Sequence, residues 1–114
     1  MATFKLVEWL IDWVLSQSLF AFDWDSGNAT KNIKKHEISC EEAESVFDHA
    51  EAIIVLGEQV TPKVSEPRYG ILGLIRELKL VFICFTLRGN GIRIIHIRKM
   101  NRKEREFYDE LRQK

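Results

Sequence analysis

Two cysteines, two prolines and three histidines among 114 residues leave several chemistries without material. Cys40 and Cys84 have no CxxC spacing and stand in segments that read as helix and central strand, so reduced, buried thiols are expected rather than a disulfide. The histidines are scattered, which gives no ligand spacing for zinc, and no glycine-rich phosphate loop is present. Neither repeats nor low-complexity segments occur. The most apolar stretch, Phe4 to Leu15, is interrupted by Lys5, Glu8 and Asp12 and is too short to span a bilayer. With no secretory leader in evidence, a soluble, cytoplasmic protein is expected.

Net charge is lacking as well, yet the zero balance conceals an asymmetry. Residues 1 to 67 carry five Lys/Arg against twelve Asp/Glu, whereas residues 88 to 114 carry nine against four. At physiological salt the screening length is only about 8 Å, so a local basic field concentrates a polyanion whatever the overall charge. The acidic front half suits a basic partner. A hydrophobic content of 46% in a chain of this length supports one domain with a real core, and residues 1–114 are read as that single domain.

Residues 3 to 18 place Lys5, Glu8, Asp12 and Ser16 at helical spacing, leaving a broad apolar face of Phe4, Val7, Trp9, Leu10, Ile11, Trp13 and Val14. Packing on its own domain is the plainer reading of that face, and docking of a partner or second copy is the other. Its net acidic polar stripe argues against a membrane-surface helix. Leu19 to Trp24 reads as a short strand, and Asp25 or Ser26 caps a helix running to about His36. Ser39 and Glu42 have capping-box spacing for a second helix, with Ala43, Val46 and Phe47 turned inward. Ala52 to Leu56 is a β-branched run, and Gln59 to Pro67, with both prolines, reads as a loop.

Three strands then follow. Tyr69 to Arg76 leads through Glu77-Leu78 to Lys79–Thr86, whose continuous apolar run predicts a central strand covered on both faces. Gly89-Asn90-Gly91 supplies the turn before Ile92 to Arg98, which makes an antiparallel meander. Asn101, with Glu104 at its third position, caps a basic final helix. The fold class expected is α+β: a small antiparallel sheet of about four strands packed by N-terminal helices and a C-terminal helix.

The stretch from Thr86 to Tyr108 carries the chemistry, because it sets Arg88, Arg93 and Arg98 on two successive strands and runs into Arg102, Lys103 and Arg105. Guanidiniums are permanently charged forks that match phosphate oxygens, and strands hold them firmly. Strict alternation puts Ile92, Ile94, His96 and Arg98 on one side, with Arg93, Ile95 and Ile97 on the other. His96 and Arg98 are then neighbours, a unit suited to cleaving RNA without a metal: one moves a proton while the other stabilises the phosphorane. A hydrogen-bonded structural histidine is the plainer reading of His96.

Arg88 should emerge at the sheet end to meet a phosphate or pair with a carboxylate of the front half. Arg93 is a candidate RNA contact that can equally pair across the sheet, and Arg68 opens its strand in a position to join the cluster. Lys31, Lys34, Lys35 and His36 crowd a helix end, where they either meet nucleic acid or complement the helix dipole. Tyr108 either stacks on a base or packs with a wet hydroxyl.

Together these residues resemble one family. Phe22-Asp23-Trp24-Asp25, Asn32, Lys35-His36, Ser39 with Glu41-Glu42-Ala43, Val46-Phe47-Asp48, Thr86 with Arg88-Gly89, Ile92–Ile95, Arg98, Arg102, Glu104-Arg105 and Tyr108 look like the BrnT toxins over residues 20 to 109. The resemblance implies a RelE-like fold and a metal-independent endoribonuclease that arrests translation as the toxin of a type II toxin–antitoxin system, with no cofactor. It implies a ribbon-helix-helix antitoxin of the BrnA type, through which alone the complex contacts DNA. A homodimer and a toxin–antitoxin heterotetramer are both open. By position, Lys35, His36, Arg68, Arg88, Arg93, Arg98 and Tyr108 match charged or polar positions common in the family.

Three departures stand out: Asn28 where the family usually has Lys, Glu37 where it has Gly, and His96 where it has Ser. Residues 1–19 form an extension with no counterpart in the resemblance. The expected reaction is attack of the RNA 2′-hydroxyl on the adjacent phosphate, with Arg88 and Arg98 clamping the transition state and His36 or His96 moving the proton. Arg68 completes the catalytic candidates, and Lys31, Lys35, Arg93, Arg102 and Tyr108 are the RNA-binding ones. The alternatives are a catalytically degenerate toxin homologue acting as an antitoxin- or nucleic-acid-binding module, and a structural oligomerisation domain built on the N-terminal helix.

Overall fold

Apolar, β-branched segments between Ile54 and Lys99 build four long antiparallel strands, and short segments near the N-terminus extend both edges. The computed structural model describes residues 3–16, 21–22, 38–61, 63, 65–75, 79–88 and 91–112. In chain order these form β1 (Thr3–Lys5), α1 (Glu8–Ser16), β2 (Ala21–Phe22), α2 (Cys40–Phe47), a 3-10 turn (Ala50–Ala52), β3 (Ile54–Thr61), β4 (Tyr69–Leu74), β5 (Leu80–Arg88), β6 (Gly91–Lys99) and α3 (Arg102–Arg112). Strand order in the six-stranded sheet is β1-β3-β4-β5-β6-β2. The expected four strands are the meander β3 to β6. β2, parallel to β6, falls within the short strand expected over Leu19 to Trp24, and the structure adds β1, antiparallel to β3.

Two sequence-based boundaries are corrected. Residues 3 to 5 are an edge strand rather than the start of a helix over 3–18, because pairing with the otherwise open edge of β3 outweighs local helical spacing. For the same reason β3 continues to Thr61, through the part of the expected loop that faces β1: Thr3 lies opposite Thr61, and Lys5 opposite Glu58. The expected helix from Asp25 to His36, the Glu77-Leu78 connection and Gly89-Asn90 of the hairpin turn lie outside the described residues.

Each sheet face has its own core. On the first, Leu10 and Val14 of α1 and Val46 and Phe47 of α2 pack on Ile71, Ile83, Phe85, Ile92, Ile94 and Ile97, all essentially fully buried. Phe47 meets Phe85 edge-to-face at 5.7 Å, a geometry that aligns the positive ring edge with the negative face. On the second face, Leu72, Phe82 and Cys84 pack with Met100 and with Tyr108 of α3. The run Val81 to Phe85 is buried throughout, as its unbroken apolar sequence predicted for a strand covered on both sides. Among the described residues, no helix is long and apolar enough to cross a membrane.

Both expected capping boxes form. At α2, Ser39 Oγ accepts the Glu42 N–H at 3.1 Å while Glu42 accepts the Ser39 N–H at 3.1 Å. The Ser39 N–H holds the Glu42 carboxyl below its ordinary range, against the opposing effect of partial burial. At α3, Asn101 Oδ1 accepts the Glu104 N–H at 2.8 Å and Glu104 Oε1 accepts the Asn101 N–H at 2.9 Å. This second box matters beyond the helix, because the same carboxylate reaches the candidate site.

Candidate functional site

The second sheet face is only partly covered by α3, and beside that helix it opens into a cavity of about 520 Å3. Phe4, Leu56, Phe82, Cys84 and Ile95 make its apolar floor and walls. Gln59, Arg68, His96, Arg98 and Lys103 supply the polar and cationic lining, with Asn101 and Glu104 at the start of α3.

A bulge in β6 decides which side chains arrive there. Cys84 lies opposite His96 but Phe85 opposite Ile94, so Ile95 is an extra residue on the bulged strand. Beyond it the alternation resets. Ile92, Ile94 and Ile97 therefore face the first core, whereas Ile95, His96 and Arg98 line the cavity on the other face. Arg93 lies opposite Thr86, two residues along β5 from Cys84, and so shares the cavity's face of the sheet. Simple alternation had set Ile92 and Ile94 beside His96 and Arg98, and Arg93 on the opposite side. The bulge reverses both assignments. Nothing in the sequence marked it, since Ile94-Ile95 reads equally well on either face.

Arg98 is held on several sides. Its Nη1 donates to Glu104 Oε1 at 2.7 Å and to the Lys99 carbonyl at 3.2 Å, and its Nη2 donates to Glu104 Oε2 at 2.9 Å. The guanidinium also lies 4.5 Å from the centre of the Phe82 ring, a cation–π contact that fixes its plane. Of the five N–H donors of an arginine, these bonds use the end-on fork and the hydrogen beside it. The Nε–H and the second Nη2–H form a lateral fork that has no partner among the described residues. Glu104 thus fills one edge of the guanidinium and fixes the direction of the other.

The remaining candidates divide. Arg68 lines the same cavity as His96 and Arg98, where the His96 ring lies 6.4 Å from that of Phe82. Arg102 does not line it: the side chain is exposed on α3 and pairs with Glu106 at 3.2 Å. Tyr108 is corrected from an RNA contact to a packing residue, because its ring is buried and its hydroxyl donates to the Ala52 carbonyl at 2.7 Å, leaving no face for a base. Arg88 ends β5 opposite Gly91, and its side chain lies outside what is described. Lys31, Lys34, Lys35 and His36, and the departures Asn28 and Glu37, also lie outside the described residues. Among the described residues, no three His, Cys, Asp or Glu side chains form a metal-ligating group.

The pattern of the BrnT ribonuclease toxins of type II toxin–antitoxin systems matches residues 24–104. The chain belongs to the BrnT family. Its fold is similar to the 1.1 Å crystal structure of the Brucella abortus ribonuclease toxin BrnT, with a TM-score of 0.53 at 18% identity, covering 74% of this chain and all of that one. No curated protein matches. The BrnT match contains β3 to β6, both Arg98 and Glu104, and the bulge, whereas β1, α1 and β2 precede it. Sequence reasoning missed Phe4, which it had placed on a helix, and the second role of Glu104, which it had read only as a cap. A carboxylate on a helix gives no sign in the sequence that it will face an arginine from the preceding strand.

Cys84 on the cavity floor is free, with its Sγ 4.0 Å from Gln59 Oε1. Burial pushes its thiol up to about 11, with Arg68 acting in the opposite direction. Burial likewise raises Tyr69 and Tyr108. For Cys84 the folded state keeps its proton after the unfolded chain has lost it, so its contribution to stability is complete below the ordinary thiol value of 9.0 and is lost as pH rises toward about 11. The melting temperature is expected to fall over that window, and less steeply in Cys84→Ala. Scanning calorimetry on both proteins from pH 8 to 11 checks this, and parallel curves would remove the assignment to Cys84.

Proposed function

We propose that this BrnT-family toxin is a metal-independent endoribonuclease whose cleavage centre is the cavity between the second sheet face and α3. The observation that supports it best is the meeting of Arg68, His96 and Arg98 at one cavity, with the lateral fork of Arg98 unpartnered among the described residues. In this reading the RNA 2′-oxygen forms a bond to phosphorus as the bond to the 5′-oxygen breaks. The 2′-hydroxyl proton passes to a base, and the leaving oxygen gains a proton, with His96 or His36 serving one of those transfers. Arg98, assisted by Arg68 and Arg88, receives the charge that develops on the phosphorane, and fixed donors do this without reorganising. The products are a 2′,3′-cyclic phosphate and a 5′-hydroxyl. Translation arrest, cytoplasmic action, and restraint by a ribbon-helix-helix antitoxin of the BrnA type that carries the DNA contacts complete the proposal.

Incubating the protein with a defined RNA in EDTA tests it, with fragment termini read by mass spectrometry. Cyclic-phosphate ends are the expected product. An uncut RNA alongside retained antitoxin binding would instead favour a non-cleaving binding module. The hold of Glu104 on one edge of Arg98 supports that second reading, since it leaves less of the guanidinium for substrate.

A further inference from the structure

We propose that β1 builds the nucleobase seat of this cavity and that Phe4 stacks on the base of the RNA nucleotide held there, an inference that rests on reading the cavity as an RNA site. Phe4 lines the cavity from a strand that precedes the BrnT match, and its ring meets that of Phe82 at 5.8 Å with planes inclined by 58°. Phe82 in turn carries the Arg98 guanidinium at 4.5 Å. A flat aromatic corner thus sits directly beside a fixed cation.

The toxin body is shaped to receive this strand. At Gly70 a Cβ would come within 2.7 Å of Phe4 Cε1 and 2.9 Å of Cζ, so a side chain there would push the ring from this position. At Gly57, where φ is +116°, a Cβ would run into the Lys5 carbonyl and come within 2.7 Å of Leu6 Cα. Both glycines lie inside the residues matched to the family, while Phe4 and Lys5 lie outside them. Phe4 is therefore a built wall of the cavity rather than a loose end lying over it.

The wall's chemistry fits one occupant. Single-stranded RNA offers a flat π-face joined to an anionic phosphate, and bases splayed from a strand stack on phenylalanine and on guanidinium planes. Here the aromatic corner is rimmed by Arg68, Lys103 and Arg98, and Glu104, the one lining carboxylate among the described residues, is already bound to Arg98. An acidic peptide would use the cations but leave the aromatic corner without a matching group.

The test is titration of the full chain with 3′-AMP, 3′-CMP, 3′-GMP and 3′-UMP, and with inorganic phosphate alone, followed by NMR shifts of the Phe4 and Phe82 rings. At least one nucleotide should bind more tightly than phosphate. Phe4→Leu, which keeps apolar bulk without a π-face, should weaken that nucleotide by about tenfold while phosphate binding is unchanged, as expected for loss of one base–aromatic stack. Phe4→Trp should restore it, and melting curves establish that each variant is folded. Nucleotides binding no better than phosphate, or a folded Phe4→Leu with undiminished preference, would overturn the proposal. A wild-type protein that binds a nucleotide but leaves RNA intact would sink the ribonuclease reading and leave the seat standing.

Discussion

Arg98→Ala is expected to lower kcat for RNA cleavage by about 10²–10³-fold, the usual effect of removing a preorganised donor from a developing oxyanion. The expectation follows from the fixed direction of the lateral fork: Glu104, the Lys99 carbonyl and the Phe82 ring hold the guanidinium before substrate arrives. Arg98→Lys should recover little, since an ammonium has no planar fork and stacks differently on Phe82. Glu104→Gln separates position from presence. It leaves the guanidinium in place but weakens one side of its clamp, so kcat should fall by less than in Arg98→Ala while KM moves little. Single-turnover rates on a short RNA would decide the matter, and an Arg98→Ala protein that cleaves at the wild-type rate would remove Arg98 from the reaction.

Gly57→Ala is expected to be the most damaging small change in the sheet. A left-handed φ of +116° is costly for any residue with a Cβ, by roughly 1–3 kcal/mol for backbone strain alone. The obstruction adds to this because it is backbone, the Lys5 carbonyl, and no side chain can swing aside. For a chain of this size a loss of about 2 kcal/mol corresponds to a drop in melting temperature of roughly 5–10 °C. If the strain is relieved by releasing β1 instead, limited proteolysis should cut ahead of α1 much faster than in the wild type. A variant unchanged in both melting and protease resistance would mean that β1 does not lie against Gly57.

The parts of this architecture that were legible in the sequence are those fixed by local rules. Ser39 and Asn101 announce their helices because a short polar side chain three residues before a glutamate satisfies free amides wherever it occurs. Val81 to Phe85 announces a strand buried on both sides because no polar residue interrupts it. What stayed hidden depends on partners far away in the chain. Thr3-Phe4-Lys5 has helical neighbours and becomes a strand only because β3 offers an open edge. The β6 bulge depends on how Cys84 and Phe85 pair across the sheet, and it moved Arg93 onto the face of His96 and Arg98. At the site, the neighbourhood of His96 and Arg98 was readable from their spacing. The burial of Tyr108 was not, because its hydroxyl partner, the Ala52 carbonyl, lies 56 residues earlier.

Glu104 closes the first turn of α3 with one oxygen and grips Arg98 with both. A single carboxylate therefore ties the origin of the last helix to the orientation of the guanidinium. An anion that draws Arg98 away from Glu104 therefore leaves that carboxylate to the helix cap alone.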